Sequence, residues 1–199
     1  MSEQSNGPIG KHLDQSLAAL DRATKDPALR AMAWTIANAM VEALRAGRKI
    51  LIIGNGGSAG DAQHIAAELA GRYKMERTAL AAIALTTDTS ALTAIANDYD
   101  FDRVFVRQVE ALGRKCDVLM ALSTSGRSPN ILNALQFARE RGLVTVGFTG
   151  SKGEAMRADC DHLLMVPSDD TPIVQQVYFT FAHAICDEVE QAMAAAPPR

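Results

Sequence analysis

Apolar residues recur at helical spacing near the start of the chain, first as Leu13, Leu17 and Leu20, then as Leu29, Met32, Ile36, Met40 and Leu44. Steps of three and four place such positions on one helix face, so the pattern predicts two amphipathic helices. Asp26-Pro27 marks the break between them, and Ala46-Gly47-Arg48 closes the second, glycine being a usual stop signal. The pattern then changes to short apolar runs at residues 49–53, 82–85, 118–122, 144–148 and 163–166. Runs of this kind, without alternation, suit strands buried on both faces of a parallel sheet. Helical candidates lie between them at 58–73, 102–112 and 128–141. A last helix over about 171–193 carries Val174, Val177, Phe181, Ile185 and Val189 as its stripe. Strand alternating with helix predicts a doubly wound α/β fold, a parallel sheet flanked by helices, with ligands at the carboxyl ends of its strands. The expected division is a helical extension over 1–46, packing on the core and in an oligomer, and one α/β domain over 47–195. The Ala-Ala-Ala-Pro-Pro-Arg ending reads as frayed.

Composition narrows the class. The chain has 199 residues, with 20 Lys and Arg against 23 Asp and Glu, a formal net charge of −3. That balance argues against a nucleic-acid partner, which usually meets a basic surface. Hydrophobic residues make up 48% and aromatic residues only 5%, so Ala, Leu, Ile and Val must fill the core. The apolar run at 80–85 falls far short of the ~20 residues of a membrane span. Residues 1–10 contain neither a basic nor an apolar signal region. Cys116, Cys160 and Cys186 show no metal or redox spacing and read as buried free thiols. A soluble cytoplasmic protein is expected.

Two loops follow strands and open helices. In Gly54-Asn55-Gly56-Gly57-Ser58-Ala59, glycines would let backbone N–H groups approach an anion at a helix N-terminus. A tight turn needing positive φ explains the same residues, and Gly54-x-Gly56-x-x-Ala59 also meets the loose dinucleotide fingerprint. The second loop, Ser123-Thr124-Ser125-Gly126-Arg127-Ser128-Pro129-Asn130, sets four hydroxyls in six positions, with Ser128 placed to cap the helix that Pro129 begins. Hydroxyls and exposed N–H groups can wrap a phosphate monoester without lysine, and capping accounts for only one of the four. Thr86-Thr87-Asp88-Thr89-Ser90 and Asn97-Asp98 could cap helices or face a polyhydroxy ligand.

His64 and Glu68, four apart, share a helix face. They could form a surface ion pair, bind a divalent metal or shuttle protons. Gln175 and His183 are eight apart on the last helix, ~12 Å along it at 1.5 Å per residue. For both to serve one metal, Gln175 must stretch or a ligand must come from a second subunit.

The motifs stand in an order that resembles the phosphoheptose isomerases, enzymes of the sugar isomerase (SIS) domain family. They are Gly54-Asn55-Gly56-Gly57-Ser58-Ala59, His64-x-x-x-Glu68, Thr86-Thr87-Asp88, Asn97-Asp98, Ser123-Thr124-Ser125-Gly126-x-Ser128-x-Asn130, Gly147-Phe148-Thr149-Gly150, Thr171-Pro172-x-x-Gln175 and His183. The resemblance implies a single SIS domain with a flavodoxin-like parallel sheet flanked by helices, a homotetramer with active sites between subunits, and one zinc ion (Zn2+) per subunit bound by His64, Glu68, Gln175 and His183. It implies substrate binding by Asn55, Gly56, Gly57, Ser58, Glu68, Asn97, Asp98, Ser123, Thr124, Ser125, Ser128 and Gln175. Glu68 and His183 would be the acid/base pair converting sedoheptulose 7-phosphate to D-glycero-D-manno-heptose 7-phosphate, the first step of bacterial heptose synthesis for lipopolysaccharide or other surface heptose. One departure stands out. The family usually continues Gln-Glu-x-His, where this chain has Gln175-Gln176-Val177-Tyr178. The rival reading is the non-catalytic SIS protein that binds the replication initiator DnaA, which lacks the carboxylate and final histidine present here as Glu68 and His183.

Overall fold

The computed structural model describes residues 7–195. Residues 1–6, part of the region read as lacking a signal, and residues 196–199, most of the ending read as frayed, lie outside them. Helices α1 (Pro8–Lys25) and α2 (Pro27–Arg45) meet at Asp26, whose carboxylate accepts the Ala28 N–H at 2.8 Å. Pro27 then occupies the first helical turn, where its missing N–H costs nothing. Gly47, at φ 70°, lets the Arg48 N–H return to the Ala43 carbonyl and ends α2.

Five parallel strands follow: β1 (Ile50–Gly54), β2 (Ala82–Ala84), β3 (Val118–Leu122), β4 (Val144–Gly150) and β5 (His162–Val166), in the order β2-β1-β3-β4-β5. β1 and β3 are buried throughout and send alternate residues into two cores. Ile50, Ile52, Val118 and Met120 join α2, α3 (Gly57–Ala70) and α7 (Thr171–Ala194) on one side. Leu51, Ile53, Leu119 and Ala121 join α5 (Val104–Leu112) and α6 (Pro129–Glu140) on the other. Covered on both faces, these strands need no polar side.

Three expectations are corrected. β2 is an edge strand, not buried on both faces: it has one fully paired flank and Ile83 is 41% exposed. The helix expected over 58–73 stops at Ala70, at Gly71, and residues 71–81 run irregularly to β2. Of the cysteines, Cys160 and Cys186 are buried, but Cys116 is exposed in a turn at φ 68°. The pattern also missed α4 (Thr89–Asp98), which Asp88 caps by accepting the Ala91 N–H at 2.9 Å. Among the described residues no helix is long and apolar enough to cross a membrane.

Candidate active site

β1 and β3 are neighbours, with Gly54 beside Leu122. From β1 the chain passes to α3 on one face, and from β3 to α6 on the other. Their carboxyl ends therefore flank the point where the winding reverses, the usual crevice for ligands in this topology. Both loops singled out in the sequence emerge there. Asn55 and Asn130 tie them together through reciprocal amide hydrogen bonds of 2.9 and 3.0 Å.

The glycine loop needs its composition. Gly56 has φ 55°, in the left-handed region, and a Cβ on Gly57 would stand 2.8 Å from the Gln175 amide nitrogen. In the serine loop, buried Ser123 accepts the Gly126 N–H at 3.1 Å and Ser125 accepts that of Arg127 at 3.3 Å. Thr124 receives the Gly150 N–H on its carbonyl. Ser128 takes the N-cap position and Pro129 the first turn of α6, as expected, but the Ser128 hydroxyl makes no cap bond. Capping thus consumes none of the four hydroxyls.

Helices α3 and α7 lie side by side and bring the remaining candidates together in register. At the first level, Asp61 accepts hydrogen bonds from the Gln175 amide at 2.7 Å and the Tyr178 hydroxyl at 2.9 Å, and Tyr178 also meets Ser58 at 2.7 Å. Burial, reinforced by the Asp61 charge and only partly opposed by Ser58, pushes the Tyr178 phenol above its ordinary range. It remains a donor. At the second level, His64 Nε2 lies 2.9 Å from Glu68 Oε1, and the His64 and His183 rings stand 5.3 Å apart. Ligand atoms of His64, Glu68 and His183 all fall within 4.8 Å of one another. Two imidazole nitrogens and a carboxylate oxygen are a donor set suited to a borderline divalent ion such as zinc. Within one chain Gln175 is engaged by Asp61 at the level above, in keeping with its eight-residue offset from His183. Cys186, buried beside the trio, has its thiol pushed up to about 12 by burial and by the charges of Glu68 and Glu190, so it stays protonated at neutral pH.

Asn97 and Asp98 sit elsewhere. They are exposed at the last turn of α4, joined to each other by a 2.8 Å hydrogen bond.

A model of the SIS domain matches residues 13–150. A phosphoheptose isomerase of Bradyrhizobium sp. is 63% identical over 193 residues, covering 97% of this chain and 98% of the relative. The chain belongs to the phosphoheptose isomerase family. The family's α/β SIS fold is shared at high similarity by the solved phosphoheptose isomerase of Neisseria gonorrhoeae, at 43% identity, with a TM-score of 0.87 over 96% of this chain and all of that one. The enzyme from Francisella tularensis aligns with the same TM-score at 36% identity. Members of this family are sugar-phosphate aldose–ketose isomerases, and the chain is an enzyme of that class.

Against the family pattern, the Tyr178 departure is locally resolved: its hydroxyl bridges Ser58 and Asp61, and its ring is buried against Phe148 at 6.2 Å. Sequence reasoning missed Asp61, Tyr73, Phe179 and Glu190, which shape the site. Asp61 had a usable signal, lying one turn from His64 on the face that opens at the glycine loop. The others become visible only when α3 and α7 are placed together.

Proposed function

We propose that the protein converts sedoheptulose 7-phosphate to D-glycero-D-manno-heptose 7-phosphate by proton transfer through an enediol. The supporting observation is the gathering of His64, Glu68 and His183 on the paired helices α3 and α7, α3 leading away from the glycine loop that Asn55 and Asn130 tie to the serine loop. His64 lies seven positions beyond Gly57, ~10 Å along α3 at 1.5 Å per residue, a span of the order of an extended sugar phosphate. The Ser123–Ser128 hydroxyls, with N–H groups of the glycine loop, hold the phosphate and so convert remote binding into orientation at the reacting end.

At that end Glu68, as carboxylate, takes the proton from C1 and returns it to C2. His183 donates a proton to the C2 oxygen and accepts the one leaving the C1 oxygen, so neither residue carries a net change after turnover. His64, Glu68 and His183, with Gln175, would hold a divalent metal, proposed as zinc. When bound, that ion would act as a Lewis acid, worth several kcal/mol of charge stabilisation on the usual scale. Asn97 and Asp98, remote at the end of α4, would reach the substrate of a neighbouring subunit in the proposed homotetramer.

The test is an isomerase assay with sedoheptulose 7-phosphate before and after chelation. Conversion that falls on chelation and returns with zinc supports the reading. A chain that forms a stable complex with DnaA and leaves the sugar phosphate unchanged belongs instead with the non-catalytic SIS proteins.

A further inference from the structure

Residues 71–81, between α3 and β2, form no helix or strand, so their N–H groups must find partners elsewhere. Three of them find one side chain. Tyr73, Lys74 and Met75 donate to the Glu190 carboxylate of α7 at 2.8, 2.6 and 2.8 Å. Glu190 is fully buried, and the isomerisation described above does not use it. Beside it the Arg77 guanidinium, its side chain 4% exposed, stands with Nε 3.3 Å from Glu190 Oε1. Arg77 also donates to the carbonyls of Glu68 at 2.8 Å, Gly71 at 3.0 Å and Thr78 at 3.2 Å. One buried ion pair thus fastens the end of α3 that carries Glu68 to the helix that carries His183.

The turn it holds also presents a ring. Tyr73 stacks on His183 with centroids 5.8 Å apart and planes 20° apart, while Phe179 and His64 meet the same imidazole edge-on at 4.4 and 5.3 Å. Among the described residues no hydrogen bond orients the His183 ring; these three rings do. A histidine that ligates metal or moves protons usually has its plane set by a hydrogen-bonded partner. Here the Tyr73 face takes that part, and Glu190 sets where Tyr73 stands.

We propose that Glu190 and Arg77 are positioning residues that act on His183 through Tyr73 and on Glu68 through the end of α3. The proposal rests on the isomerase reading for its consequence in turnover. The Lys74–Asp187 pair nearby, 59% and 30% exposed at its side chains, adds little by comparison.

The test compares Tyr73→Ala, Tyr73→Phe and Glu190→Gln with the unchanged protein. In the metal-free proteins, the His183 ring proton resonances, assigned by NMR, should lose their ring-current shift in Tyr73→Ala and keep it in Tyr73→Phe. Glu190→Gln should move them as Tyr73→Ala does. Zinc affinity, read by competition with a chromophoric chelator, should fall about 10- to 100-fold in Tyr73→Ala and Glu190→Gln and stay near the original in Tyr73→Phe. Unchanged zinc affinity in folded Tyr73→Ala, or unchanged His183 resonances in folded Glu190→Gln, would overturn the proposal. If Glu190→Gln fails to fold, the two Tyr73 variants decide. Should the unchanged protein neither bind zinc nor turn over the sugar phosphate, the isomerase reading fails, and the metal-free NMR comparison still decides whether Tyr73 and Glu190 place His183.

Discussion

Glu68 is where a single atom should separate binding from chemistry. Its side chain is 21% exposed, within reach of a ligand, and one oxygen meets His64 at 2.9 Å. Glu68→Gln keeps the size and the hydrogen-bonding reach but cannot accept a proton. Turnover should fall by about 10²–10⁴-fold, the usual contribution of a positioned base. Binding of a phosphate-bearing ligand, followed by calorimetry, should persist because the serine loop is untouched. Near-normal turnover would remove Glu68 from the mechanism. Cys116 poses a different residue-level question. Its φ of 68° lies in the left-handed region, where a Cβ crowds the following carbonyl, at a cost of about 1–2 kcal/mol. Asparagine tolerates that conformation better through local hydrogen bonding. Cys116→Asn should therefore raise stability by up to about 1 kcal/mol in denaturant titration, with isomerase activity unchanged.

At the scale of elements, the strands were the most legible part. Continuous apolar runs such as Ile50–Gly54 and Val118–Leu122 have little alternative to a sheet covered on both faces. Helix α4 was not legible: Thr87-Asp88-Thr89-Ser90 reads as a hydroxyl loop, and α4 buries no residue that would create a strong stripe. The His64/Glu68 pair was readable from its spacing; His183 was considered beside Gln175, but its joining that pair followed only from the family motifs. The Glu190 clamp escaped because its partners lie more than a hundred positions away in the chain. That clamp has a pH signature. Burial disfavours the Glu190 charge, yet three N–H donors and Arg77 outweigh it, so its carboxyl lies below the ordinary 4.5. Between the folded and unfolded values the unfolded chain binds more protons, so stability rises with pH there. The contribution is complete above the ordinary value and is lost as pH falls through the depressed one. Asp187, held low by Lys74 and Gln191, acts in the same direction. Glu190→Gln should cost about 3–5 kcal/mol near neutrality, as expected for a buried pair that loses one charge. Thermal melts of the two proteins should converge on acidification below the ordinary glutamate value; a constant difference at all pH values would show that the charge is not the stabilising feature.

The whole molecule carries an apolar surface that one chain leaves open. Ile9, Leu13 and Leu17 follow one another at four-residue steps along α1 and are 77%, 61% and 68% exposed, and Trp34 on α2 is 62% exposed. Trp34 borders a groove of about 360 Å³ lined by Ala33, Ala37, Phe181 and Ile185. An exposed apolar stripe of this length suits contact with another chain, and identical chains close such contacts by symmetry. The proposed homotetramer would bury them and bring Asn97 and Asp98 of one subunit to the His64–Glu68–His183 site of another. Leu13→Glu with Leu17→Glu should then yield a smaller particle by sedimentation and lower turnover together, although both positions lie far in sequence from the candidate site. A mixing experiment separates assembly from chemistry. Asp98→Ala and Glu68→Gln subunits should each be inactive alone. Refolded together, they should recover part of the activity, because some sites would combine the intact Glu68 of one chain with the intact Asp98 of its neighbour. An assembled mixture without recovery would place both residues in sites built from a single chain, and would leave the N-terminal stripe with a purely structural part in the oligomer.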